Sequence, residues 1–218
     1  CASGLLNKQR DLSPGEIVSQ IIKIQQDTNQ RISHVVVMGT GEPFDNYDNV
    51  MDFVRIINHP NGLAIGARHI TISTCGLIKG IERYSDEGIQ TNLAISLHAP
   101  NDEIRNELMP INKIYPMDKL RQVVSDYIDK TNRRVTFEYI LLKDINDDII
   151  YARQLAHYLR GLNAYVNLIP YNSVDEHGYQ PSKKEQAELF KSELLRLHIN
   201  VTMRKEHGRD IDGACGQL

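Results

Sequence analysis

Cysteine is scarce in this chain: Cys1, Cys75 and Cys215 are the three in 218 residues. They make no even framework, which argues against a disulfide-stapled secreted fold and for a reduced, intracellular, cytoplasmic protein. No apolar run of roughly eighteen residues occurs, so no membrane-spanning helix is encoded. No secretory leader is visible either. There is no basic excess: 25 Lys plus Arg stand against 28 Asp plus Glu, for a net charge of −3. A nucleic-acid binder is ordinarily basic. The short clusters Lys8/Arg10, Arg133/Arg134, Lys183/Lys184 and Arg204, Lys205, His207, Arg209 read as solvated loops and helix ends. Internal repeats and low-complexity segments are also lacking, which sets solenoids aside.

What is there is enough for one sizeable core, with 41% hydrophobic residues. Helix-like and strand-like stretches alternate. Ser13-Pro-Gly-Glu16 has the form of a capping box, and Ile17, Val18, Ile21 and Ile22 follow at helical spacing. Further helices are predicted over 49–57, 78–87, 116–130, 149–160 and 183–197, the last capped by Ser182, with Gly88 and Gly161 as stops. Strands are predicted over 34–38, 69–74, 91–97, 134–142, 164–169 and 199–204. Near-continuous apolar strands alternating with helices indicate an α/β fold with a parallel sheet. Periodicity leaves a barrel and an open doubly wound sheet equally possible; both build sites at strand C-termini.

Four strand ends carry residues suited to a ligand. Met38-Gly-Thr-Gly-Glu-Pro43 offers glycines for close approach and Glu42 as an acceptor, but it lacks the third glycine of a dinucleotide fingerprint. Ile72-Ser-Thr-Cys-Gly76 crowds hydroxyls that either satisfy local backbone or bind a ligand. Ser96-Leu-His-Ala-Pro100 contains a histidine, more often packed than catalytic, and Leu168-Ile-Pro-Tyr-Asn172 ends on a donor–acceptor amide. Each signal alone is poor; their shared position makes a common pocket plausible. Cys215 lies among small and polar residues near the C-terminus, where a nucleophile is as reasonable as a structural thiol. Cys1 alone makes no metal site, and Cys75 reads as a small, partly buried hydrophobe.

With these motifs in order, the chain resembles the radical-S-adenosylmethionine (SAM) RNA adenine methyltransferases, the RlmN/Cfr family, over essentially its whole length. Asp210-Ile-Asp-Gly-Ala-Cys-Gly-Gln-Leu218 matches the motif around that family's catalytic cysteine. Gly39–Pro43, Thr71–Thr74, Ser96–Pro100, Leu108-Met-Pro-Ile-Asn112 and Val166–Pro170 with Asn172 match the others. Cys1-Ala-Ser-Gly-Leu-Leu6 resembles the segment that starts at the third cysteine of the family's CxxxCxxC motif.

The resemblance implies an incomplete (β/α)6 radical-SAM barrel, a partial TIM barrel, with a [4Fe-4S] cluster to which Cys1 contributes a ligand. It implies that Gly41 and Glu42 bind the amino group of SAM, and that Ser73, Ser96, Leu97, His98 and Asn172 line the rest of the pocket. Cys215 would take a methyl group from one SAM. A radical generated from a second SAM would activate that methyl for addition to an electron-poor adenine carbon, and a further cysteine would resolve the product. Pro43, with Phe44-Asp-Asn46 behind it, resembles the C2-methylating branch, which forms 2-methyladenosine in 23S rRNA and tRNA and takes electrons from a protein such as flavodoxin. In the family the other two cluster cysteines, the resolving cysteine, a first barrel strand and an N-terminal accessory domain all lie upstream of the segment matched here. Residues 1–218 are therefore expected to form a single core domain lacking that strand, inactive and poorly stable on its own. The alternatives are a C8-specific enzyme of the same family, a non-catalytic SAM- or RNA-binding module, and an unrelated barrel acting on phosphorylated metabolites. The last lacks a glycine-rich phosphate loop near the final strands.

Overall fold

In the computed structural model, which describes residues 8–172 and 178–204, the helix expected after Ser13 runs over Pro14–Thr28 (α1). Its cap is reciprocal. Ser13 N–H donates to Glu16 Oε2 at 2.8 Å, and Glu16 N–H donates to Ser13 Oγ at 3.4 Å, so first-turn donors that have no helical partner find one in a side chain. Six strands follow: β1 Val35–Val37, β2 Ile70–Thr74, β3 Asn92–Ser96, β4 Val135–Leu141, β5 Ala164–Pro170 and β6 Val201–Met203. The helices between them are α2 Tyr47–Asn58, α3 Ile78–Ser85, α4 Asp102–Leu108, α5 Met117–Thr131, α6 Ile149–Tyr158 and α7 Lys184–Arg196.

All neighbouring strands are parallel, and their order in the sheet is their order in the chain. That order separates the two architectures. A doubly wound sheet reverses direction at a switch point. Here the sheet winds one way only, and right-handed crossovers then put every helix on the same face. The result is a partial barrel, as expected.

The strands are not the near-continuous apolar runs that a sheet covered on both faces would show. They alternate. Ile70, Ile72, Leu93, Ile95, Val135, Phe137, Tyr139, Val166 and Leu168 are all fully buried. Rings on this set meet helices: Phe137 meets Tyr158 of α6, and Tyr139 meets Phe190 of α7. The intervening positions include Thr71, Ser73, Asn92, Ser96, Thr136, Glu138 and Asn167, with Val36, Ala94, Ile140, Tyr165 and Ile169 among them, and the register sets them side by side across the sheet. Helices cover one face, so only that face needs to be hydrophobic. The opposite, inner face is the one that carries the strands' polar side chains, beside a few apolar ones.

Smaller departures have local causes. α4 has no predicted counterpart; Asn101 caps it by accepting from Ile104 N–H at 3.0 Å. α3 and α6 end at Ser85 and Tyr158, before Gly88 and Gly161, whose positive φ angles of 66° and 83° serve the turns that follow. Ser182 does not cap α7. Its hydroxyl donates to Asp147 Oδ2 at 2.6 Å, and Lys183 takes the cap position without a side-chain bond. Among the described residues, no helix is long and apolar enough to cross a membrane.

Candidate active site at the strand ends

Parallel strands put all their C-terminal ends on one rim, which gathers the segments after β1, β2, β3 and β5. The turn after β1 holds Gly39 and Gly41 at φ 70° and 108°, and a Cβ added to either would meet nothing within 4 Å. The backbone there is open to close approach and uses a conformation that glycine permits. Glu42 follows. Its Oε1 accepts from Phe44 N–H at 3.0 Å and its Oε2 from Cys75 N–H at 2.7 Å. The carboxylate therefore ties the β1 turn to the end of β2, and it retains lone pairs for a further donor.

On β2, Ser73 is buried, in register with Ala94 of β3. The local satisfaction expected of crowded hydroxyls belongs to its neighbour. Thr74 Oγ1 accepts from Gly76 N–H at 3.1 Å and from Leu77 N–H at 3.4 Å, which turns the chain toward α3.

β3 ends in a bulge-like arrangement. Leu97 N–H and His98 N–H both donate to Glu138 O, at 3.0 and 3.2 Å. His98 is left-handed, with φ 58°, a conformation that costs a side-chain-bearing residue about 1–2 kcal/mol. Its contacts hold it there. His98 Nδ1 accepts from Ile140 N–H at 3.1 Å, and its carbonyl accepts from Asn146 Nδ2 at 2.8 Å. An accepting Nδ1 carries no proton, so the ring is neutral with its hydrogen on Nε2. Burial, followed by the positive charge of Arg105, holds its pKa down at about 3. His98 pins β3 to β4 and is not poised as an acid or base.

Asn172, just after β5, is 6% exposed, and its Oδ1 has no hydrogen-bond partner among the described residues. Buried amide oxygens are rarely left so. Cys75 is half-buried at the end of β2; burial, then the negative charge of Glu42, pushes its thiol pKa up. Cys1 and Cys215 lie outside the described residues. Among those that are described, no group of three or more His, Cys, Asp or Glu could hold a metal ion. The groove lined by Lys143, Asp147, Tyr151, Lys183 and Gln186 contains none of the predicted site residues.

Two features escaped the sequence reading. On the inner face, Asn167 Nδ2 donates to Glu138 Oε2 at 2.8 Å, and Thr202 Oγ1 donates to Asn167 Oδ1 at 3.4 Å, a polar ladder across β4, β5 and β6. Burial raises the pKa of Glu138, against the opposing effects of Asn167 and Arg204. The readable signal was the recurrence of polar residues at alternate positions of β2, β3, β4 and β5, as in Thr71/Ser73 and Thr136/Glu138. The other feature is Arg105 of α4, which is wholly buried behind the rim.

Comparison with known proteins agrees with this geometry. The model of the Radical SAM superfamily matches residues 1–156. The whole chain is 58% identical to a protein of Spiroplasma citri named as a probable dual-specificity RNA methyltransferase RlmN, and spans 64% of that protein's length. An Enterococcus faecalis protein of the same name is also 58% identical over the whole chain, which spans 63% of it. Among solved structures, a radical SAM methyltransferase from Sphaerobacter thermophilus superposes with a TM-score of 0.96 at 41% identity, covering 100% of this chain and 64% of that one. Streptococcus suis SuiB, solved bound to S-adenosylmethionine, shares the fold at 15% identity, with a TM-score of 0.65 over 92% of this chain and 46% of its own. Proteins of this kind use S-adenosylmethionine and a [4Fe-4S] cluster. One-way parallel winding, an open glycine turn ahead of Glu42 and a family match over most of the sequence lead to one conclusion: the chain belongs to the radical SAM superfamily.

Proposed function

We propose that this chain supplies the catalytic barrel of an RNA methyltransferase that forms 2-methyladenosine in 23S rRNA and tRNA. The observation that carries the proposal is the 58% identity, running the full length of the chain, to proteins named as dual-specificity RNA methyltransferases. The chain spans under two thirds of those proteins, so the activity is that of the full-length enzyme.

The rim fits S-adenosylmethionine. That cofactor carries an amino group, a carboxylate and ribose hydroxyls, and the rim holds matching groups. The exposed turn at Gly41 and the spare lone pairs of Glu42 suit the amino group. The unpartnered Oδ1 of Asn172 suits a hydroxyl donor. Ser73 on β2, Ser96 at the end of β3, and Leu97 and His98 just beyond it would complete the wall. When bound, the cluster and SAM supply a methyl group and a carbon-centred radical. Cys1 would contribute one thiolate to the cluster, and Cys215, as thiolate, would take and carry the methyl group. The reaction would run in the cytoplasm with a reductant protein of the flavodoxin class.

Full-length enzyme with Cys215→Ala, reconstituted without oxygen, tests this reading. It should keep its iron and sulfide and still cleave SAM when reduced, but nucleoside mass spectrometry of its rRNA and tRNA should show no 2-methyladenosine. Continued methylation would overturn the role of Cys215. An 8-methyladenosine product from the unaltered enzyme would move the proposal to the C8 branch.

A further inference from the structure

Arg105 is 0% exposed, and it heads the large side chains that are fully closed off from solvent. Arginine is almost never fully buried unless paired with a carboxylate. Among the described residues, this one donates only to neutral acceptors. Nε donates to Leu97 O at 3.2 Å, Nη2 to Cys75 O at 2.8 Å and to Ser96 O at 3.3 Å, and Nη1 to Asn112 Oδ1 at 2.9 Å. Three of those acceptors are backbone carbonyls at the ends of β2 and β3.

The Asn112 amide is itself fixed. It is 1% exposed and donates to Asp102 Oδ1 at 2.7 Å and to Asn106 Oδ1 at 2.9 Å. Asp102 Oδ1 also accepts from Met117 N–H at 2.9 Å, at the start of α5. Pro110 opens a 3-10 turn, Pro110–Lys113, that carries Asn112 back onto α4. This accounts for Leu108-Met-Pro-Ile-Asn112, a motif that the candidate pocket does not otherwise use.

The peptide units on either side of Cys75 are gripped from two directions. The Cys75 N–H goes to Glu42 Oε2 at 2.7 Å, and its carbonyl goes to Arg105 Nη2 at 2.8 Å. A continuous chain of bonds therefore runs from the β1 turn through the end of β2 to the end of β3 and α4.

We infer that Arg105, oriented by Asn112, is a positioning residue that sets the ends of β1, β2 and β3 at the spacing the cofactor pocket requires. The inference rests on the reading of this rim as the SAM site. A planar guanidinium can hold donors on carbonyls from two strands and on an amide at once, because its five N–H groups are fixed in a fork. A lysine ammonium offers donors from a single point.

The test uses the full-length protein, reconstituted anaerobically, with Arg105→Lys, Arg105→Met, Asn112→Ala and the Arg105→Lys/Asn112→Ala pair. The readouts are the SAM dissociation constant, taken from the change in the electron paramagnetic resonance spectrum of the reduced cluster, and the melting temperature. Leu194→Ala, in the core under α7, controls for destabilisation alone. Both Arg105 variants should bind SAM roughly ten- to hundredfold more weakly, as expected when a site is displaced by fractions of an ångström. Asn112→Ala should lose less, and the pair should lose little more than Arg105→Lys alone, because the two residues act as one unit. Leu194→Ala should melt lower at unchanged affinity. Unchanged SAM affinity in a folded Arg105→Lys protein would overturn the inference. If the Arg105 variants do not fold, Asn112→Ala decides by the same measurement. An unaltered enzyme that does not bind SAM at all would instead overturn the function proposed for the rim.

Discussion

Phe137 and Glu138 are consecutive residues on β4, and the sheet sends them to opposite faces. Phe137 is fully buried among apolar side chains, with its ring edge-on to Tyr158 at 6.3 Å between centroids. Glu138 is 5% exposed, yet it faces the polar side, where Asn167 donates to it. The same division follows the register across the sheet: Ile72, Ile95 and Val166 with Phe137, and Ser73, Ser96 and Asn167 with Glu138. The helix-covered face is held by removing apolar area from water, roughly 25 cal/mol per Å². The inner face gains little that way, and each polar group buried there must find a partner. One face stabilises the fold, and the other presents chemistry at a modest cost in stability.

The contrast is sharpest in Phe137→Ala against Asn167→Ala. Removing the ring should cost about 3–5 kcal/mol in urea unfolding, because transfer and cavity terms add. Removing the amide should cost about 1–3 kcal/mol, the penalty for leaving a buried acceptor without its donor. Equal losses would break the division between the faces. Gly80→Ala probes the helix layer from the other direction. Alanine favours a helix, but a Cβ at position 80 would lie 2.6 Å from the Cβ and ring of Phe44, which cannot swing clear. Overpacking of this kind costs about 1–3 kcal/mol, and a lower denaturation midpoint should reveal it.

The six strands stand within a residue or two of their expected places, because short β-branched runs bounded by turn residues are a local signal. Periodicity did not choose a barrel over a doubly wound sheet, since strand order is a property of long-range pairing; the family resemblance did. α4 escaped because its seven residues make under two turns and show no apolar stripe, although Asn101 followed by Asp102 and Glu103 has the form of a helix start. The positions Gly41, Glu42, Ser73, Ser96, Leu97, His98 and Asn172 stand at or beside the strand ends, where the motifs that carry the family resemblance put them. What each side chain does was less legible. Glu42 was expected to accept from a ligand amine, and in the structure it spends two lone pairs on backbone amides. Arg105 gave no signal because arginine on a short helix ordinarily faces water, and its partners are backbone carbonyls and an asparagine brought in from other segments.

Glu138→Gln tests the inner face through pH. Burial raises the folded-state pKa of Glu138 above the usual 4.5, so the folded chain holds this proton more tightly than the unfolded chain. The group therefore favours folding at pH values below 4.5, and that contribution is lost as pH climbs from 4.5 through the raised folded value. Glutamine keeps an acceptor for Asn167 and carries no charge. The variant should match the unaltered protein in acid and gain on it above that window, which would appear as a flatter stability profile in urea titrations across pH. A variant that tracks the unaltered protein at every pH would mean that Glu138 is hydrated and does not belong to a closed inner face.

The smallest expected effect is at Cys75, where backbone and side chain part company. Its N–H and carbonyl join Glu42 to Arg105, whereas its thiol turns to the Glu42 carboxylate, to which the Cys75 N–H already bonds. Burial and the nearby Glu42 carboxylate push the thiol pKa up, so at pH 8 almost none of it is thiolate, the form that reacts with alkylating agents. In the native protein, iodoacetamide should leave Cys75 unmodified and should label it readily once urea has unfolded the chain. Cys75→Ala keeps both backbone bonds, and should change stability by about 1 kcal/mol or less while SAM affinity stays as it was. Rapid native labelling, or a loss of affinity in the alanine variant comparable to that of Arg105→Lys, would show that the sulfur takes part. A silent variant would place the contribution of this position in its peptide units alone, on the same chain of bonds that Arg105 completes.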